Sequence, residues 1–288
     1  MPSKARYIQS LMRSHSLLNQ ADEVHKNRER AQKWFDQNVC VHENIRRAMH
    51  GENSNARIAS YYTHAHAILD YLYRGNLQNK RILHLGGATG AYAHFLQDFC
   101  KADSVALDLN KAAIEDAKSR GIKAIHANAI PQRVHGDPVP LAKRTGVWVP
   151  QEKRTQLQFK DNHFDIIFSD HFLFANYSRE VKGDIPGFEL HKSSMHESEQ
   201  ALAEYNRVLR TGGRLIVTAA EPKTVKGLAK FRRFYKTRGF VVEHIFDDVI
   251  ELRDAQPLDP AYVKEFYHNE KRGPHFFVLR KIEPLSKK

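Results

Sequence analysis

The chain has 288 residues, of which 41% are hydrophobic, enough to bury a core without disulfide or metal staples. Its two cysteines, Cys40 and Cys100, lie far apart and lack the short paired spacing of a zinc or redox motif, which fits a reducing cytoplasm. A formal charge of +12 favours anionic partners without specifying chemistry, and no apolar run reaches membrane-spanning length. Arg13, Ser14 and His15 interrupt the amino terminus before an export signal can form, so neither a membrane span nor export is expected.

The pattern is helical from Pro2 to about Lys80. Ile58, Tyr61, Ala65, Ile68, Leu69 and Leu72 recur at helical spacing, and Gly75 and Asn76 end the run. Short apolar runs then alternate with amphipathic ones: strand Arg81–Leu85, helix Ala91–Phe99, strand Ser104–Asp108, helix Lys111–Ser119, strand Ile122–His126. That order predicts a parallel sheet with helical crossovers.

Pro131, Gly136, Pro138, Pro140, Gly146 and Pro150 mark an inserted loop over about 130–156, and a second irregular stretch covers 176–192. Between them Phe164–Ser169 reads as a strand. After them come a helix Glu197–Leu209 closed by Thr211-Gly212-Gly213, a strand Arg214–Thr218, a helix Lys223–Arg238, and strands Phe240–Ile250 and His275–Leu279. The expected fold is a doubly wound α/β domain over 81–288. Its sheet has seven strands, mainly parallel, is flanked by helices and ends in an antiparallel strand; a helical lobe over 1–80 precedes it.

RILHLGGATGAY (81–92) ends an apolar strand in a glycine cluster and opens a helix. This brings backbone close to a ligand and turns a helix amino end toward it, with Gly86, Gly87 and Gly90 as the contact points. Gly87-Ala88-Thr89-Gly90 would equally suit a dinucleotide fold or a purely structural turn. Asp108 follows about 20 residues later at the end of an apolar strand, placed to accept both hydroxyls of a ribose; capping the helix that starts near Asn110 is its other reading.

With Ala127-Asn128-Ala129, LQFKDNHFDIIFSD (157–170) and LAEYNRVLRTGGRLIV (202–217), the chain resembles the class I S-adenosylmethionine-dependent methyltransferases, most closely their small-molecule branch. The resemblance spans roughly Arg81 to Val217 outside the two insertions. It implies that Asn128 bonds the adenine amino group, that the Ala129 amide reaches a ring nitrogen, and that Leu109 packs on the base. Ser169 and Asp170 would lie beside the methionine moiety and the acceptor, with Asp170 and His171 as positioning or basic residues. His84 stands where the family usually has an acid, and Ala88 replaces the middle glycine of the turn. His171-Phe172 occupies the place of the double proline found in members that methylate exocyclic amines, which disfavours such acceptors.

The implied cofactor is S-adenosylmethionine, and the expected reaction is methyl transfer to an oxygen, nitrogen or carbon of a small molecule. RNA is the alternative acceptor, suggested by the charge and by the basic face of the helix carrying Lys226, Lys230, Arg232, Arg233 and Lys236. A non-catalytic cofactor-binding protein and an NAD(P)-dependent oxidoreductase remain open at this point. His64 and His66 fall on different sides of a helix, which argues against a metal pair.

Overall fold

In a computed structural model, residues 30–35, 37–38, 54–108, 110–127, 129, 157–169, 201–219, 225–246 and 275–282 are described. Both predicted insertions lie outside them. Helices α1 (30–35) and α2 (Ser54–Tyr73) precede β1 (Arg81–Leu85), α3 (Ala91–Asp98), β2 (Asp103–Asp108), α4 (Lys111–Ser119), β3 (Ala124–His126) and β4 (Phe164–Ser169). The chain continues through α5 (201–208), β5 (Leu209–Ala219), α6 (Val225–Lys236), β6 (Phe240–Phe246) and β7 (His275–Lys281).

The seven strands lie in the order β3-β2-β1-β4-β5-β7-β6. The first five are joined in parallel, and β7 runs antiparallel between β5 and β6. The expected seven-stranded, mainly parallel sheet is therefore the observed one, and its single antiparallel strand, β7, lies inside the sheet next to the edge strand β6.

Alternation along the strands sorts the core into two layers. Ile82, Ile166, Phe168, Ile216, Phe276 and Val278 face α1, α2 and α3, packing on Trp34, Phe35, Tyr62, Ile68, Leu69, Tyr92 and Phe95. Leu83, Leu85, Ile167, Leu215, Val217, Phe277 and Leu279 face the other way, onto Ala201, Leu202, Tyr205, Phe234 and Tyr235 of α5 and α6. Each fully buried Leu, Ile or Phe contributes roughly 1.5–3 kcal/mol relative to exposure, so neither layer is dispensable.

In α2 the predicted stripe is realised by Ala65, Ile68 and Leu69, all wholly buried, and Tyr62 joins them. Gly75, with φ 68°, ends the run by donating its amide to the Asp70 carbonyl at 2.9 Å.

One boundary needs correction. Thr211-Gly212-Gly213 does not terminate a helix: it lies inside β5, which begins at Leu209 opposite Phe164 and changes register before Arg214 meets Ile166. Gly212 has φ 75°, and a Cβ on Gly213 would stand 2.8 Å from the Arg210 carbonyl oxygen and 2.9 Å from that of Asp165. The glycine pair builds a bulge that lets β5 press on β4.

Candidate cofactor site

The carboxyl ends of β1, β2 and β4 carry the site. Leaving β1, the amides of Gly86 and Gly87 both donate to the Leu107 carbonyl, at 2.9 and 3.1 Å, tying the turn to the end of β2. A Cβ on Gly87 would stand 2.9 Å from the Ala106 Cβ, so this close approach needs glycine. Gly90 has φ 75°, and its carbonyl accepts the His94 amide at 2.8 Å, the opening turn of α3. Among the described residues no side chain caps α3, so its amino end can favour a ligand's negative charge.

Ala88 adopts φ 45°, a left-handed conformation, and its amide donates to Asp108 Oδ2 at 2.8 Å. The other oxygen, Oδ1, accepts the Asn110 amide at 2.8 Å. The helix-cap reading of Asp108 is therefore replaced: Asn110 caps α4, its Oδ1 accepting the Ala113 amide at 3.2 Å. Asp108 is held against the glycine turn, and a carboxylate retains further lone pairs for ribose hydroxyls.

At the end of β3, the Ala127 amide donates to the Asp108 carbonyl at 3.1 Å. Ala129 is buried, and its carbonyl accepts the Tyr205 hydroxyl of α5 at 2.9 Å. Ala127 and Ala129 are thus each tied to a neighbouring element. Ser169 ends β4 opposite Leu85, and its buried Oγ has no hydrogen-bond partner among the described residues. Leu109, Asn128, Asp170 and His171 lie outside the described residues.

His84 is wholly buried under the turn, its Nδ1 3.3 Å from where a Gly87 Cβ would sit. Its ring meets Tyr62, Tyr92 and Phe168 edge-on, with centroids 5.8, 5.6 and 5.4 Å away. Tyr62 stacks on Tyr92 at 4.9 Å with planes 5° apart. Burial raises the Tyr92 phenol well above its ordinary pKa, with smaller contributions from Cys100 and Asp70. Sequence reading missed this aromatic wall, because Tyr62 and Tyr92 look like ordinary helix-stripe residues until the fold brings them together.

The glycine turn alone left two nucleoside cofactors open. Two observations separate them: the antiparallel β7 between β5 and β6 departs from the all-parallel 3-2-1-4-5-6 order of the dinucleotide fold, and a family model described as a methyltransferase domain matches residues 83–182. Residues 83–182 are therefore a methyltransferase domain.

Among solved structures it is similar to a TehB-like S-adenosylmethionine-dependent methyltransferase from Corynebacterium glutamicum, with 16% identity over 90% of this chain and 97% of that one and a TM-score of 0.41. It is also similar to magnesium protoporphyrin IX methyltransferase from Synechocystis PCC 6803, solved with bound S-adenosylmethionine, at 11% identity over 88% and 97% with a TM-score of 0.46. A search of curated proteins finds no significant match. As a methyltransferase, the enzyme takes S-adenosylmethionine as cofactor, and the residues present fit it: a turn that admits no Cβ at Gly87, an uncapped helix end and a fixed carboxylate. Among the described residues no helix is long and apolar enough to cross a membrane.

Proposed function

We propose that this methyltransferase acts on an oxygen, nitrogen or carbon of a small molecule, held where β1 and β4 end. The observation that carries the reading is the wall made by Tyr62, His84, Tyr92 and Phe168. Through it, the helical lobe closes the sheet face directly beneath the glycine turn. Among the described residues that face is filled by packed side chains and is not open as a groove along which a polymer would lie, which favours a compact acceptor.

The bound sulfonium supplies an electrophilic methyl group. Asp108 would accept the ribose hydroxyls, Gly86, Gly87 and Gly90 would let the backbone approach, and the amino end of α3 would favour the cofactor carboxylate. Ser169 Oγ would donate to the methionine portion. Asn128 and the Ala129 amide would read the adenine, and Leu109 would pack on it. Asp170 and His171 orient the acceptor atom and remove its proton where one must leave. Most of the acceleration then comes from alignment, because an in-line displacement needs nucleophile and methyl held within near-attack distance.

Calorimetric titration with S-adenosylhomocysteine, NAD and NADP tests the cofactor, and release of S-adenosylhomocysteine across a panel of small acceptors tests the reaction. The reading requires binding of the methyl-donor product alone, weakened by Asp108→Ala, and turnover on a small acceptor. Turnover on RNA only would transfer the assignment to that alternative, which the charge of +12 favours.

A further inference from the structure

In this topology the ends of the strands opposite the glycine turn form a second edge, roughly 17–20 Å away for strands of this length. The last turns of α2 and α6 finish there too, since both helices run back against the parallel strands. On the side of β2 and β3, Lys101 pairs with Asp98 and Lys123 with Asp103.

On the side of β1, β4, β5 and β7, Arg207 is matched by Glu204 and Asp161, but elsewhere on that side, among the described residues, two arginines share each carboxylate. Asp165 alone serves Arg81 and Arg210, at 3.9 and 2.6 Å. Glu243 alone serves Arg214 and Arg280, at 2.8 and 3.7 Å. Arg214 and Arg280 stand directly opposite each other in the antiparallel β5–β7 pair, an arrangement that costs stability between like charges. Arg214 also lies 5.1 Å over the Tyr73 ring, which holds its guanidinium in place. The side chains of Arg81, Arg210 and Arg280 are between 41% and 46% exposed. Exposed Arg74 closes α2, and exposed Arg232 and Arg233 lie on the last turns of α6.

Helix dipoles account for cations at helix carboxyl ends. They do not account for strand-start arginines that, among the described residues, share their carboxylates two to one. We propose that this edge binds the phosphodiester backbone of RNA, as a docking surface separate from the methyl-transfer site. An extended rim of guanidiniums matches a polyanion with repeated charges, and planar guanidinium is the group that bonds phosphate in bidentate fashion. The surface is independent of the acceptor, because it lies at the other end of the strands.

The test is fluorescence anisotropy with a labelled single-stranded RNA oligonucleotide over a salt series, on the full chain and on Arg232→Ala/Arg233→Ala/Arg280→Ala. None of these three residues belongs to the cofactor site. The expected result is binding that weakens by about tenfold or more in the triple variant, with the log–log salt slope shallower by about 2, while S-adenosylhomocysteine affinity is unchanged. Absence of RNA binding, or binding the variant leaves intact, overturns the proposal. Tighter binding of a poly-glutamate peptide of equal charge also overturns it and makes the edge a site for an acidic protein. Loss of cofactor binding in the unmodified chain would sink the methyl-transfer reading and leave this one standing.

Discussion

Asp108 Oδ2 accepts the amide of Ala88 at 2.8 Å across a separation of 20 residues, joining the acid proposed to bind the ribose to the glycine turn. Through Oδ1 the same carboxylate takes the Asn110 amide, so the starts of α3 and α4 share one anion. The acid thus has a structural duty in addition to its proposed ligand contact, and a variant at this position must be read on both.

Asp108→Ala is expected to weaken S-adenosylhomocysteine binding by about 10- to 100-fold, the span of roughly 1.5–3 kcal/mol for hydrogen bonds to a charged group. Asp108→Asn keeps one oxygen for the Ala88 amide and should recover much of the folding stability while leaving ligand affinity reduced. Calorimetry and urea unfolding on both variants separate the two duties. Equal affinity in all three proteins would remove Asp108 from the cofactor site.

Ala88 and Gly90 both have positive φ, yet only one is glycine. A left-handed conformation costs an L-residue roughly 1–2 kcal/mol, partly offset at Ala88 because glycine would lose more entropy on folding. Ala88→Gly should therefore leave stability unchanged or raised by up to about 1 kcal/mol. Gly90→Ala should lower it by about 1–3 kcal/mol, since the added Cβ also meets Ile122 Cγ2 at 3.1 Å. Chemical denaturation of the pair gives the comparison, and a destabilised Ala88→Gly would contradict it.

The sheet was legible in the sequence because its strands are short, apolar and separated by strong turn signals. Arg81–Leu85 and Phe164–Ser169 are observed with their predicted bounds. The bulge at Gly212-Gly213 was not, because a glycine pair after a helical run reads the same whether it stops a helix or bends a strand. Gly86, Gly87, Gly90 and Asp108 announced themselves through spacing, whereas the wall of Tyr62, His84, Tyr92 and Phe168 is assembled from four separate elements. Contacts of that kind carry no local signature. The arginine edge has the same origin: its residues are ordinary one at a time and unusual only together.

Acid should loosen the fold through His94 and His244. Burial lowers both folded pKa values below the ordinary 6.5, so below that pH the unfolded chain binds more protons than the native one. These two groups therefore contribute stability that is present above pH 6.5 and lost as pH falls from there through their folded values. His94 also packs edge-on against Trp34 of α1 at 5.0 Å, so its protonation strains the docking of the helical lobe. Thermal unfolding between neutral and mildly acidic pH should show a falling midpoint, less steep in His94→Gln/His244→Gln. An unchanged slope in the double variant would assign the acid sensitivity elsewhere.

Tyr205→Phe probes the adenine side without touching the ligand. It removes only the hydroxyl that donates to the Ala129 carbonyl at 2.9 Å, in a buried setting where an unmet carbonyl costs about 1–3 kcal/mol. Part of that cost should appear as lost stability and part as slack in the segment carrying Asn128. In the proposed site the methionine end and the acceptor lie on other strands, so KM for S-adenosylmethionine should rise several-fold while kcat stays near its original value. A structural role alone would lower Tm and leave KM untouched. Equal losses in kcat and kcat/KM would instead mean that Tyr205 acts on the reacting end of the site, which its place on α5 beneath Ala129 opposes.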